Sequence, residues 1–398
     1  MHIAQSKTRS VADQFNRLRA AEMSVVQAAL NNGYLITDAL TQRELRERVE
    51  TASDGKNTVL FTDEGVPGIY VRIPANALAL GSLATELGIS GLLHEAFKVG
   101  GAWKDEILIG KYQGFMVNHT TGARIDNDAS TAIPNARVAC LPMTAPGYLV
   151  NFDLCLNSCA NNGSGYHLIS NPEWSYLYLL TLANGREVRG NNNNLGADYV
   201  RTDETCKWAT GDESNKRGLA GSGPVSWTHD GTPYGVYDLN GNVWEWCSQL
   251  RLNAGEIQIL EEFTGDHTAV STDWKTIDST TGNIVAAGSA GSLKIDSIAS
   301  VPVISDTITS SAAAARHTQF NALTANITVP ARAKRLGLYP LATSPTRGRF
   351  YSVNVTERLP VRGGGWSNAS FAGVAALGLN LPRSNRIGSF GFRPAFAT

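Results

Sequence analysis

The sequence predicts an α+β chain, a short helical segment followed by a longer β-rich body. Three observations carry this. Capped helical periodicity fills the first 50 residues, and from residue 58 the apolar pattern shortens to strand-length runs. Glycine is abundant, at 39 of 398 residues, and asparagine joins it, so turns and loops must be numerous.

Residues 1–50 read as helical. Ser10, with Asp13 three positions on, caps a helix that carries Val11, Phe15, Leu18, Ala21 and Val25 on one face. Asn31-Asn32-Gly33 stops it, and Thr41 with Glu44 offers a second cap ahead of Leu45 and Val49. The stripe serves either packing on the chain's own body or an oligomer seam; Glu22 within it argues against a clean coiled coil. Residues 51–104 read as a small β-rich region. TVLFT and GIYVRI, and EILIGKY just beyond, are short runs bounded by Gly, Pro and Asp. A strand-like ARVACL follows, then a helix over Pro172-Glu173-Trp174-Ser175-Tyr176-Leu177-Tyr178-Leu179-Leu180, with Ser170 or Asn171 as cap and Gly185 at its end. The run Asn191–Asn194 reads as loop. Residues 251–350 are rich in Ser, Thr and Ala and look like an inserted β-rich excursion.

Composition removes several function classes. The apolar fraction is 42% and the charged fraction 17%, so the chain is neither disordered nor strongly solvated. With 34 Lys+Arg against 35 Asp+Glu the net charge is −1, which gives no field to draw in nucleic acid or an anionic membrane. No apolar run approaches the roughly 18–20 residues of a bilayer span, so membrane insertion is not expected. The first residues lack an apolar signal core, and five cysteines make a poor disulfide framework. Folding in a reducing cytoplasm is the expectation.

The most informative central segment is Tyr234-Gly235-Val236-Tyr237-Asp238-Leu239-Asn240-Gly241-Asn242-Val243-Trp244-Glu245-Trp246. Small turn residues sit among large rings, so a tight turn is clamped by aromatics. Asp238 and Glu245 flank the turn, with the carbonyls of Gly241 and Val243 between them, and hard oxygen donors of this kind suit Ca²⁺. The alternative is that Glu245 only bonds backbone N–H groups of the turn.

This segment resembles the GLYNxxGNxWEW-type signature of the formylglycine-generating enzyme (sulfatase-modifying factor) family, which has a C-type-lectin-like fold. Val361-Arg362-Gly363-Gly364-Gly365-Trp366 is similar to that family's RGGSW motif, Gly391-Phe392-Arg393 to its terminal GFR, and Pro172-Glu173-Trp174 to its LPTEAEWEYA segment. The resemblance implies a C-type-lectin-like domain of this subtype over residues 105–398, interrupted by the unmatched stretch at about 251–350. It also implies calcium at Asp238, Gly241, Val243 and Glu245 as in some members, Asp238 standing where Asn is common. No cofactor is otherwise required.

The enzymatic chemistry of that family is missing. Its copper-binding cysteine pair lies between RGGSW and GFR, and here no cysteine follows Cys247. Ergothioneine-type sulfoxide synthases need a histidine set for iron, whereas His2, His94, His119, His167, His229, His267 and His317 are isolated; Glu95 beside His94 reads as a surface pair. An enzyme is therefore not expected, and an unconventional enzyme of the formylglycine-generating type is the alternative.

The tail, RGGGWSNASFAGVAALGLNLPRSNRIGSFGFRPAFAT, carries Arg358, Arg362, Arg383, Arg386 and Arg393 in or just before it, with no Asp, Glu, Lys or His after Glu357. It resembles the variable region of a diversity-generating retroelement target, here at 362–393, in which template adenines are randomised, chiefly in asparagine AAC codons. The candidate variable positions are Gly365, Ser367, Asn368, Ala369, Ser370, Phe371, Ala375, Gly378, Asn380, Leu381, Asn385, Arg386, Ile387, Gly388, Ser389 and Phe390. Each lies within the set that randomised AAC reaches, which never includes Lys, Glu, Gln, Met or Trp. Trp366, Ala372, Gly373, Val374, Leu377, Leu379, Pro382, Arg383, Gly391 and Phe392 would form the constant frame. Phe371, Leu381, Ile387 and Phe390 would together make an apolar patch, with Arg386 adding polar contacts.

The resemblance implies a diversified receptor-binding protein, foremost a phage tail-fibre-tip adhesin that meets a variable protein or glycan ligand on a bacterial surface. It would be a homo-oligomer, a trimer, in contact with other virion tail proteins, and located in the virion after assembly in the host cytoplasm. The alternative is a retroelement-diversified ligand-binding protein of the bacterial cytoplasm.

Overall fold

In the computed structural model, residues 10–78, 83–88, 94–209 and 216–397 are described. The first nine residues of the expected helical segment, His2 among them, lie outside the described residues. Six α-helices are present among them: α1 (Val11–Asn31), α2 (Ala39–Ala52), α3 (Leu83–Leu87), α4 (Phe152–Ala160), α5 (Asn171–Ala183) and α6 (Ala331–Arg335). The remainder is mostly short strands and turns, an α+β architecture.

The Ser10 hydroxyl accepts from the Asp13 N–H at 3.1 Å and starts α1. The second helix is capped differently from the Thr41–Glu44 expectation. Asp38 accepts from the Thr41 N–H at 2.7 Å, so Thr41 is the donor to the cap and not the cap itself. The apolar stripe of α1 (Leu18, Val25, Val26, Ala29) packs with Leu45 and Val49 of α2 against Tyr112, Phe115, Trp227 and Tyr237 of the same chain. Glu22 lies in this core because its carboxylate meets the buried Lys111 ammonium at 2.7 Å and accepts from the Tyr112 hydroxyl at 2.8 Å.

A five-stranded antiparallel sheet underlies these helices, in the order Asn57–Phe61, Pro67–Pro74, Glu106–Gly110, Pro394–Phe396, Tyr166–Leu168. The strand nearest the C-terminus is therefore internal, with Ala395 opposite both Ile109 and His167. A larger branched sheet holds thirteen strands. From one edge it runs Arg316–Gln319, Arg349–Ser352, Gly373–Leu381, Glu357–Gly363, Leu250–Asn253, Glu256–Ile259. The Ser/Thr/Ala-rich stretch supplies much of this sheet and joins it directly, with Leu252 opposite Arg358. The strand Trp244–Trp246 sits between Glu357–Gly363, antiparallel, and Phe390–Phe392, parallel.

Helix α5 is apolar on every side and is accordingly buried along most of its length. Ser170 caps it in a reciprocal box with Glu173, and the Trp174 indole N–H donates to the Val374 carbonyl at 2.9 Å. His94 and Glu95 are no surface pair. The His94 ring is buried, it caps a short 3-10 turn, and Glu95 accepts from Arg335. All five cysteines are unpaired thiols, four of them buried. Burial pushes Cys140 and Cys206 up to about 12, so they stay protonated and unreactive at neutral pH. Among the described residues no helix is long and apolar enough to cross a membrane.

Candidate ligand-binding site

The turn before Trp244 sets the base of the site. Asp238 and Asn242 both have positive φ, and Gly241 is required because a Cβ there would lie 2.0 Å from the Asn191 carbonyl oxygen. The Asn242 amide N–H₂ donates to the Gln113 side-chain oxygen, and its own oxygen accepts from the Gly218 N–H, each at 2.7 Å. The Asn240 amide donates to the Val188 carbonyl at 2.7 Å. These buried amides are spent on holding the backbone, which is why the segment is rich in asparagine.

Calcium does not fit the residues expected to hold it. Both Glu245 oxygens receive the Arg393 guanidinium, at 2.8 and 2.9 Å, and both side chains are fully buried. The Gln113 amide donates to the same carboxylate at 2.9 Å and to the Val243 carbonyl at 3.3 Å. Asp238 accepts from the Gly221 N–H at 2.7 Å. The positive charge wanted by Glu245 is thus already supplied within the chain, and a divalent ion would have to displace it. Burial, with Glu245 nearby as a smaller contribution, pushes the Asp238 carboxyl up to about 6.

The other tail arginines are also engaged. Arg362 is buried on the Asn171 side-chain oxygen and the Gly337 carbonyl, and burial lowers it to about 10. Arg383 bridges Asp153 and Glu357, and Arg358 donates to the Glu357 carbonyl. Arg386 donates to the Asn127 side chain. The cationic segment that the sequence suggests is therefore largely internal wiring.

Eight of the sixteen candidate variable positions line one open concavity of about 250 Å³: Ser367, Asn368, Gly378, Asn380, Leu381, Ile387, Ser389 and Phe390. Trp244, Tyr351 and Val361 complete it. Ser367 and Ile387 are exposed, Ile387 at 45%. Asn368 is fixed, its oxygen accepting from the Trp244 indole N–H at 2.9 Å and the Gly365 N–H at 2.7 Å. Gly365 is buried beside Trp244 and Ser389. Ala369, Ser370 and Phe371 form a half-buried 3-10 turn next to the concavity, where Arg349 stacks on the Phe371 ring at 3.2 Å. Asn385, Arg386 and Gly388 are half-buried on the segment that leads to Ser389.

Two placements correct the expected surface. Ala375 is 1% exposed and faces the main core with Leu377 and Leu379, because alternate residues of Gly373–Leu381 point to opposite sides. Asn380, on the other side, reaches the concavity, whereas Gly378 lines it only as buried backbone, a Cβ there meeting the Val361 side chain at 2.8 Å. Phe390 is 4% exposed and packs edge-on against Trp246 at 5.5 Å, so it forms part of the wall and adds little to an exposed apolar patch.

Sequence reasoning missed the fixed part of the site. Tyr351 lies just beyond the unmatched stretch and carries no motif, yet it stands edge-on to Trp244 at 6.2 Å. The asparagine run is a loop, as expected, and its bracing role went unseen: the Asn194 N–H donates to the Trp366 carbonyl and the Ala369 N–H to the Asn192 carbonyl, each at 2.7 Å. Its only legible signal was the clustering of asparagines.

Fold and site together define an α+β protein with an open concavity whose walls come mainly from its C-terminal segment. No family model and no curated protein matches the chain. The solved structures it is similar to include two variable proteins with low identity. Treponema denticola variable protein 1 is 12% identical with a TM-score of 0.34, over 86% of this chain and 99% of that one. The Major Tropism Determinant U1 variant is 12% identical with a TM-score of 0.28, over 84% of this chain and 65% of that one.

Proposed function

We propose that this chain is a retroelement-diversified ligand-binding protein with a C-type-lectin-like fold of the formylglycine-generating type, serving as a phage tail-tip adhesin. The observation that carries the reading is the convergence of half the candidate variable positions on one concavity, over a floor of Trp244, Tyr351 and Val361. Both ends of the variable segment are held by strands internal to sheets, Glu357–Gly363 and Pro394–Phe396, so side chains between them can change while the backbone stays anchored. Binding is its task, not catalysis. A homotrimer within the virion would raise a weak single-site affinity through avidity. Its ligand is on a bacterial surface, and its other partners are tail proteins.

Deep sequencing of codons 355–398 from a propagated source population tests the reading. Substitutions should concentrate at the concavity and its neighbours, with Leu377, Leu379 and Phe392 constant. Changes spread evenly over those frame codons would overturn it. Mass spectrometry of purified virions tests the tail-tip assignment separately, and absence of the chain from them would overturn that part.

A further inference from the structure

We infer that in this variant the concavity takes a neutral, hydroxyl-bearing ring, a hexopyranose unit of a surface glycan. The inference rests on the binding reading above and adds the ligand's chemical class. No lining residue is ionisable at neutral pH apart from the tyrosine phenol, which stays protonated there. Two arginines stand beside the concavity without lining it: Arg349 stacks on the Phe371 ring and bears on the Tyr351 phenol, and Arg386 donates to Asn127. An ionised ligand group would find no charged partner among the lining residues, since Arg349 is already stacked on Phe371, and its lost hydration would go largely uncompensated.

The walls offer the two surfaces a sugar ring needs. Trp244 and Tyr351 meet at 74° and, with Leu381 and Ile387, form an apolar corner for the C–H face of a ring. The same concavity is lined by polar groups with unused bonding capacity. Among the described residues, the side chains of Ser367, Asn380 and Ser389 have no hydrogen-bond partner, and the Asn368 amide N–H₂ is free while its oxygen is held by Trp244 and Gly365. A hydroxyl-rich ring can both donate to and accept from these groups. An apolar or aromatic peptide side chain would leave them unpaired, which costs affinity. At about 250 Å³ the concavity lies just under the range of roughly 300–1,000 Å³ for drug-sized ligands, room for one such ring.

Saturation-transfer NMR on the full chain with methyl gluco-, galacto- and mannopyranoside, and with methyl glucuronate and glucosamine as charged counterparts, tests this. At least one neutral glycoside should receive saturation, most strongly at its C–H protons, and the charged sugars should receive little. Asn380→Ala should weaken binding about tenfold. Ile387→Arg should abolish it, with an unchanged circular dichroism spectrum in both variants. No transfer to any neutral glycoside, equal transfer to the charged sugars, or binding indifferent to both variants would each overturn the inference. Saturation transfer to an aromatic peptide in preference to every glycoside would overturn it in favour of a protein ligand. If the sugars fail while concavity codons still vary in the population, this inference falls and the diversification reading stands. Sugar binding with invariant codons gives the reverse.

Discussion

Asp238 is the residue at which the chain departs most clearly from what its local structure wants. Its carboxyl is buried, its backbone has a φ of 63°, and among the described residues that carboxyl accepts a single hydrogen bond, from the Gly221 N–H. Asparagine would tolerate that backbone and keep the acceptor without a charge. Because burial raises the folded pKa from 3.8 to about 6, the folded state holds a proton that the unfolded state releases between those values. The associated stability is complete below about pH 4 and is lost as pH rises through 6. Asp238→Asn should therefore raise the urea midpoint at pH 8, by up to about 3 kcal/mol in stability, and leave it nearly unchanged at pH 4. An equal effect at both pH values would assign the gain to backbone conformation alone. The sequence marked Asp238 as unusual, but for calcium. What it could not convey is that Arg393, far along the chain, lands on Glu245, because an ion pair between distant residues leaves no periodicity or spacing to read.

At the scale of elements, the turn before Trp244 and the strand Gly373–Leu381 each carry a prediction. With an internal guanidinium on Glu245, neither EDTA nor millimolar calcium should move the melting temperature. Arg393→Leu should cost about 3–5 kcal/mol by stranding a buried carboxylate. A calcium-dependent rise in melting temperature that Glu245→Gln removes would restore the metal assignment. The strand separates frame from surface by alternation. Ala375→Tyr should destabilise the fold by about 1–3 kcal/mol through overpacking. Asn380→Tyr, on the open side, should stay within about 0.5 kcal/mol of the parent. Equal costs would mean that the two sides are not distinguished. Capped and periodic elements were legible in advance: α1 from Ser10, and α5 from Ser170, Pro172 and its apolar run. Which side of Gly373–Leu381 faces the core was not legible, since a run of small and apolar residues has no polar alternation to fix its facing. Tyr351 was hidden for a related reason. It joins the site through strand pairing, Tyr351 opposite Gly378, and not through any local motif.

Across the whole molecule, the variable segment is held by pairings between residues distant in sequence. Pro394–Phe396 closes the five-stranded sheet between strands that begin near residues 106 and 166, while Glu357–Gly363 joins the larger sheet at Leu250–Asn253. Helix α1 is locked to the same body by Glu22 on Lys111 and Tyr112. The two sheets also share a core, since α5 and Ile109 lie in the same cluster as Leu377 and Ala395. The molecule should accordingly unfold as one unit, with tryptophan fluorescence and far-ultraviolet circular dichroism following one transition. Ala395→Asp puts an unpaired charge at a fully buried position between two strands and should lower both midpoints together, by at least about 3 kcal/mol in stability. Ser367→Asp, exposed on the rim, should lower neither. If Ala395→Asp shifted the fluorescence transition while the dichroism transition stayed in place, the binding region would fold separately from the rest. Variation at the concavity would then be tolerated because the region is independent, and not because both its ends are anchored in the common core.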